Sequence, residues 1–392
     1  LIGHDLLTTN QLGMRSPIIT RTGIKMKISA IELYECTLTY SHGTYVMSKG
    51  RAAKQQPTNL VRIITDTGID GWGETALLAG NYLPVFAGGT REALRELAPH
   101  LIGQDPRATA KIQNVMNGVL TGQNNAKSAI DIACWDVFGK SVELPISALI
   151  GGVLSTDLPI YEAIPLASAE ENIAYVKKRS AAGIRRFQIK VGDDPRADAA
   201  RVRAIIEATD DDIFFFADSN AGWTFLEASI AMRELEDLNI FIEQPCLDVA
   251  DCAMLRKVSP LPIIMDEGVV TIADLHRAKY EVSASAINLK LGRVGGITPA
   301  VTMRNAAQAL GMHFCIEDMW GGDIITAAAS HVAASAQPGN LLHTAFFNDW
   351  TDEHVGGYQP RTVNGRGAAP TSPGLGINID MSMVGEPVAR FS

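Results

Sequence analysis

Apolar and polar positions follow two rhythms along this chain. From Met26 to about residue 150, "KISAIELYECTLTY" and "TNLVRIITDTGIDGWGE" alternate with the period of half-buried strands, and Thr-Gly-Ile-Asp-Gly supplies a turn in the second. "TREALRELAPHLIG" and "NNAKSAIDIACWDVFGKSV" then carry apolar residues at helical spacing, so this part predicts a small α+β domain. After "LIGGV" the pattern becomes periodic. Short apolar or β-branched runs recur at 158–164, 186–191, 213–220, 240–245, 262–268, 286–292, 313–318 and 341–347, with helical patterns such as "PRADAARVRAIIEAT" and "TPAVTMRNAAQALG" between them. Eight strand–helix units of about 25 residues predict an α/β fold of the (β/α)8 barrel type, a modified TIM barrel. A doubly wound open sheet is the competitor. Eight equal units, and the lack of an early GxGxxG after a strand, favour the barrel.

The rhythm divides the chain into four parts. Residues 1–25, "LIGHDLLTTNQLGMRSPIITRTGIK", carry no long apolar stretch of the signal-peptide kind and are read as an N-terminal extension. Residues 26–150 form the α+β part, 151–350 the barrel, and 351–392 a C-terminal segment.

Composition narrows the function classes. With 392 residues the chain exceeds what one core usually supports, which agrees with two domains. Its net charge of −9 argues against a general nucleic-acid or anionic-membrane partner. Five cysteines, none in a CxxC pair, are read as reduced thiols of a cytoplasmic protein. No window approaches the ~18 uninterrupted apolar residues of a membrane span.

Chemistry gathers where a barrel keeps its active site, at the C-terminal ends of the strands. Each of six successive strands ends on a charge: Lys190, Asp218, Glu243, Asp266, Lys290 and Glu317. The steps are 218 − 190 = 28, 243 − 218 = 25, 266 − 243 = 23, 290 − 266 = 24 and 317 − 290 = 27, one barrel repeat each. Asp218, Glu243 and Asp266 in one buried mouth would repel one another unless a cation joined them, and oxygen ligands without His or Cys favour Mg²⁺. The competing reading is that each acid caps the helix that follows. Lys190 and Lys290 flank the trio and should face each other across the mouth as acid and base. Burial and neighbouring cations, the metal and the other lysine among them, are expected to lower the pKa of a lysine acting as base. This set suits removal of the proton next to a carboxylate, with the enediolate stabilised by the metal. Racemisation, epimerisation or elimination of a β-leaving group would follow.

Here the motifs "IKVG", "DSNAGW", "FIEQP", "MDEG" and "NLKLGRVGG" resemble, in order and spacing, the enolase superfamily, in its mandelate racemase/muconate-lactonizing group. The resemblance covers Met26 to Ser392. It implies that the N-terminal α+β part and the C-terminal tail form a capping domain over the barrel, and it often goes with homo-oligomers. It also implies two substrate-choosing loops, "YSHGTYVMSKG" (40–50) and "TALLAGNYLP" (75–84), with His42, Tyr45 and Tyr82 as polar aromatic candidates. The group's usual KxK pair reads Gln188-Ile189-Lys190 here, so an auxiliary cation is replaced by an amide beside the substrate. Asn220, in "DSNAGW", is a further substrate contact.

"EDMWGGDIITAAASH" (317–331) is similar to a narrower clade acting on proline derivatives, the hydroxyproline betaine 2-epimerases and cis-3-hydroxy-L-proline dehydratases. By that resemblance Glu317, Asp318, Trp320 and Asp323 join the substrate-contact candidates, with Glu317 or Asp323 holding a ring ammonium. The betaine epimerases place a Trp near the end of the eighth strand, where this chain has Ala345 or Phe346. Its apparent loss favours a secondary amine, and hence a Mg²⁺-dependent dehydratase of cis-3-hydroxy-L-proline forming 1-pyrroline-2-carboxylate. The rivals are epimerisation of proline derivatives, racemisation of N-acyl amino acids or epimerisation of dipeptides, a Schiff-base aldolase, and a barrel without catalysis.

Overall fold

The computed structural model describes residues 25–75, 77–78, 80 and 82–392; the extension read over residues 1–25 lies outside them but for Lys25, and the capping loop read over 75–84 is described only in part. Strands Ile28–Thr39, Gln55–Thr65 and Asp70–Glu74 form an antiparallel sheet, and the C-terminal strand Ala389–Phe391 adds to its edge through Ile31–Phe391 and Leu33–Ala389 pairing. The helix Asn124–Val142 packs on this sheet at very short range. Gly71 and Gly73 permit that approach: a Cβ at Gly73 would sit 1.8 Å from the Ala129 carbonyl oxygen, and one at Gly71 2.3 Å from that of Ala133. The helix Thr109–Val119, with only Thr109, Ile112 and Met116 buried, was not foreseen from its weakly periodic sequence.

The long helix also ties cap to barrel. Asp131 accepts from the Thr298 backbone N–H (2.9 Å) and hydroxyl (2.7 Å), and Asp136 accepts from the backbone N–H groups of Trp72 (3.0 Å) and Leu375 (2.8 Å).

Eight parallel strands follow in strict sequence order: Glu162–Ile164, Arg186–Lys190, Phe214–Asp218, Ile240–Glu243, Ile263–Met265, Ala286–Lys290, His313–Glu317 and Leu341–Thr344. A parallel bridge between Ile160 and Thr344 joins the first to the eighth and closes the barrel. Seven strands are followed by helices. After the eighth comes a one-turn 3₁₀ helix, Phe347–Trp350, where the sequence loses helical periodicity and becomes rich in Gly and Pro. Outer helices start on dedicated caps, with capping boxes at Ser168/Glu171, Thr224/Glu227 and Thr271/Asp274. All five cysteines are free thiols, four of them buried. No helix among the described residues is long and apolar enough to cross a membrane.

Candidate active site

Strand register lines up the charged ends. Lys190 pairs with Asp218, Asp218 with Glu243, and Lys290 with Glu317. All of these, with Asp266, are buried. The helix-cap reading of the acids fails: the helices after Asp218, Glu243 and Asp266 are capped by Thr224, Asp248 and Thr271. The strand-end carboxylates therefore stay in the mouth, where buried charge must find partners.

Those partners form a continuous floor. The Lys190 ammonium donates to Asp218 Oδ2 at 2.5 Å. Asn220, in the left-handed region at φ 48°, folds back so that its backbone N–H reaches Asp218 Oδ1 at 2.8 Å and its amide reaches Oδ2 at 2.9 Å. Glu243 accepts from Gln188 (2.8 Å) and Asn288 (2.8 Å). Lys290 donates to Asp266 (3.0 Å) and lies 3.3 Å from Glu317, while Arg293 Nη1 donates to the Asp266 carboxylate (2.6 Å) and backbone carbonyl (2.7 Å). Asn288 also donates to Glu317 (2.7 Å), which accepts the Tyr161 hydroxyl as well. Lys190 and Lys290 end the second and sixth strands, half a turn of the barrel apart, and line one cavity.

With Asp218 and Asp266 turned to the lysines, neighbouring charge opposes the acidification that burial favours. Burial works to lower both ammonium groups, but adjacent carboxylates outweigh it, Asp218 beside Lys190 and Asp266 beside Lys290, and hold both above their ordinary value. Asp266 is likewise held low: burial opposes its charge, and Arg293 and Lys290 overcome it. Glu243 goes the other way, pushed well up by burial and by the charges of Asp218, Asp266 and Glu317. Burial also raises Glu267 and Asp318 to about 7.

Does this floor suit a metal? Six carboxyl groups (Asp218, Glu243, Asp266, Glu267, Glu317, Asp318) face three cations (Lys190, Lys290, Arg293), so acids outnumber bases and a further cation would be matched by acids now held protonated by their crowding. Asp218, Glu243 and Asp266 offer oxygens alone, the donor set of a hard divalent ion. As the side chains stand, no group of three His, Cys, Asp or Glu among the described residues converges to hold an ion, because each of these acids is turned to an ammonium, amide or guanidinium. The residues fit Mg²⁺ in kind and charge, provided Asp218 and Asp266 exchange their lysine contacts for it.

Above the floor, Tyr40 and Tyr45 from the cap, Trp320 after the seventh strand, and Phe347 and Trp350 after the eighth form an aromatic roof. Ring centroids lie 5.7 Å apart for Tyr40–Trp320, 6.3 Å for Tyr45–Trp350 and 4.9 Å for Phe347–Trp350. The cavity beneath is about 30 Å³, with room for about two waters. Of the anticipated contacts, Tyr45, Tyr82, Gln188, Asn220, Glu317, Asp318 and Trp320 line it. Tyr82 donates to Glu267 at 2.7 Å, and Asp318 spends one oxygen each on the Gly292 and Met319 backbone N–H groups.

Two anticipated contacts lie elsewhere. His42 is exposed, edge-on to Tyr40, and borders a separate groove with Arg179 and Tyr358. Asp323 is fully buried and holds Asn348 (2.8 Å) and the backbone N–H groups of Gly356 (2.8 Å) and Tyr358 (3.2 Å). Ala345 and Phe346 do not line the cavity, but Trp350 does, carried in by the 3₁₀ turn.

Sequence reasoning passed over Tyr161, Glu267, Asn288, Arg293 and Trp350. Asn288 and Arg293 lie inside "NLKLGRVGG", two residues before and three after Lys290, and inward alternation along that strand could have found Asn288.

Residues 35–151 match the family described as mandelate racemase / muconate lactonizing enzyme, N-terminal domain, and residues 172–383 match enolase C-terminal domain-like. The chain is 38% identical over 367 residues to a cis-3-hydroxy-L-proline dehydratase of Roseibium aggregatum, covering 94% of this chain and 100% of the relative. It is 33% identical over 320 residues to an N-succinyl-L-Arg/Lys racemase of Bacillus cereus, covering 79% and 85% respectively. Among solved structures, it superposes with a TM-score of 0.89 and 31% identity on an enolase-superfamily member from Roseovarius nubinhibens complexed with magnesium, covering 94% of this chain and 100% of that one.

Proposed function

The chain belongs to the mandelate racemase / muconate lactonizing enzyme family of the enolase superfamily, and from that premise we propose that it is a hydro-lyase that dehydrates cis-3-hydroxy-L-proline to 1-pyrroline-2-carboxylate. One observation carries the reading: two buried lysines on opposite barrel strands line one cavity above three buried carboxylates.

Asp218, Glu243 and Asp266 are the residues that would hold Mg²⁺, which supplies positive charge to the substrate carboxylate as the α-proton leaves. The lysines flank the α-carbon from two sides. One abstracts the α-proton once its carboxylate partner has turned away from it, the 3-hydroxyl leaves as water on taking a proton from the other lysine or an acid of the mouth, and the enamine tautomerises to the pyrroline. Glu317, aligned by Asn288 and Tyr161, receives the ring ammonium. Gln188 and Asn220 border the carboxylate end, and Tyr82, Asp318 and Trp320 complete the wall. A proline-sized substrate exceeds the cavity as it stands, so the segments bearing Tyr45 and Tyr82 part to admit it. The working division is a cap of residues 26–150, a barrel of 151–350 and a tail of 351–392 returning to the cap. The enzyme is read as a cytoplasmic homo-oligomer acting on a small carboxylate.

A second reading has its own support. Trp320, Trp350, Phe347 and Tyr45 line the cavity, an aromatic wall of the kind that suits a quaternary ammonium and therefore epimerisation of a proline betaine. Incubation of each substrate in D₂O with Mg²⁺ separates the two. Elimination gives a pyrroline product, trapped with o-aminobenzaldehyde. Epimerisation returns α-deuterated substrate of both configurations. Neither outcome with either substrate overturns both readings.

A further inference from the structure

The 40–50 segment of the cap carries Tyr45 and Met47 to the active-site cavity, and both are buried there. The Tyr45 hydroxyl lies beside the Lys190 ammonium. Where the segment ends, Lys49 adopts φ 58° and Gly50 φ 70°, so two successive residues are left-handed. Glycine takes that conformation freely, whereas lysine does so rarely and needs something to hold it. The holder is on the barrel. The Lys49 backbone N–H donates to the Asp193 carboxylate at 2.8 Å.

Asp193 stands in the turn that follows the Lys190 strand, and that turn is pinned from below. Asp198, buried in the first turn of the next helix, accepts the backbone N–H groups of Gly192 (2.8 Å) and Asp193 (2.9 Å) on one oxygen. Its other oxygen accepts from Arg201 Nη2 (2.8 Å), and the same nitrogen donates to the Lys190 backbone carbonyl (2.7 Å). One chain of bonds therefore runs from the cap segment to the backbone of Lys190. Asp193 is not needed to start that helix, because Asp194 is its cap and accepts from the Arg196 (3.1 Å) and Ala197 (2.8 Å) backbone N–H groups. We propose that Asp193 is a positioning residue: its carboxylate latches the 40–50 segment in the closed position and so sets Tyr45 and Met47 over Lys190. The cavity of about 30 Å³ is too small for a proline-sized substrate, so the Lys49–Asp193 bond breaks as the segment opens and re-forms as it closes. The effect on turnover rests on the reaction proposed above; the latch itself does not.

Trypsin reads the latch directly, since Lys49 is exposed but the segment must open locally before the chain is cut after it. In the ligand-free full-length protein, Asp193→Ala is expected to speed cleavage after Lys49 roughly fivefold, the size of one lost bond to a charged acceptor at an exposed position. Asp193→Asn keeps an acceptor oxygen and should stay within about twofold of the parent. Asp194→Ala removes the neighbouring helix cap, so it should lower the melting temperature and leave cleavage after Lys49 unchanged. In turnover of cis-3-hydroxy-L-proline with Mg²⁺, Asp193→Ala should raise KM about fivefold with kcat within about twofold, and Asp193→Asn should restore KM. Unchanged cleavage in Asp193→Ala, or the same acceleration in Asp193→Asn or Asp194→Ala, overturns the latch. A parent that does not turn over hydroxyproline overturns the reaction instead, and the cleavage ratios then decide the latch alone.

Discussion

The floor of the active-site cavity is made of six consecutive barrel-strand ends, each held by strand register and by hydrogen bonds to its neighbours. The roof is made of five aromatic rings from three separated segments, held by ring packing and by loop conformation. The difference teaches where each task resides. Charged groups that must sit at set separations are placed on the most rigid elements of the fold, while rings that meet the variable part of a substrate sit on turns. In the proposed reaction the floor would move the proton and the roof would choose what enters.

Removing the divalent ion strikes at the floor most severely. EDTA is expected to bring turnover to background and Mg²⁺ to restore it, measured by pyrroline formation; full activity in EDTA would mean that the acids serve only the lysines. Next come the lysines themselves. Lys290→Ala and Lys190→Ala should each lower kcat by about 10³-fold. Steady-state rates on variants with native circular dichroism check this, and a change confined to KM would move the chemistry away from the floor.

The roof should respond differently. Trp350→Ala or Trp320→Ala is expected to raise KM about tenfold with kcat changed less, the size of a ring-face contact with a cation. If kcat collapses instead, the roof takes part in the chemical step and the division between floor and roof breaks.

Glu74 tests how the roof is held. It lies on a cap strand and accepts from the backbone N–H groups of Gly322 (2.7 Å) and Ile325 (3.1 Å), so the cap caps the helix that follows Trp320. Burial pushes its carboxyl up to about 7 from 4.5. A pKa raised on folding means the native state binds the proton more tightly, so the stability contributed is full below pH 4.5 and is lost as pH rises through 7. The difference, 7 − 4.5 = 2.5 units, corresponds to on the order of 3 kcal/mol. Thermal melts between pH 5 and 8 should therefore fall less for Glu74→Gln than for the parent, and parallel curves would refute this.

The smallest effect is expected at Gln188, which reaches Glu243 at 2.8 Å. Gln188→Lys adds a cation near Lys190 and should shift the base limb of the pH–rate profile to lower pH by less than about one unit.

Most of the floor was legible before folding was considered. A barrel repeats every ~25 residues, so strand-end charges announce themselves by spacing. Asn288 and Tyr161 did not, because a neutral polar residue brings no charge to mark a strand end, although Asn288 shares the inward alternation of Lys290. The roof was read only in part. Tyr45 lines the cavity and His42, three residues earlier, does not, a choice made by the local turn. Trp350 was missed because a 3₁₀ turn, rather than a strand end, brings it inward. Asp323 was misjudged because its carboxylate is turned onto the backbone of 356–358, which no local pattern foretells.

By itself, the sequence determined the order of the strands, the helix caps and the identity of the charges at the mouth, since these depend on local periodicity and short-range hydrogen bonds. Only the tertiary structure decided which acid each lysine faces, and so that carboxylates beside both ammonium groups work against the acidification burial favours. Burial alone would have acidified them. The outcome turned on contacts of 2.5 and 3.0 Å to carboxylates 28 and 24 residues away, and such distances exist only once the barrel closes.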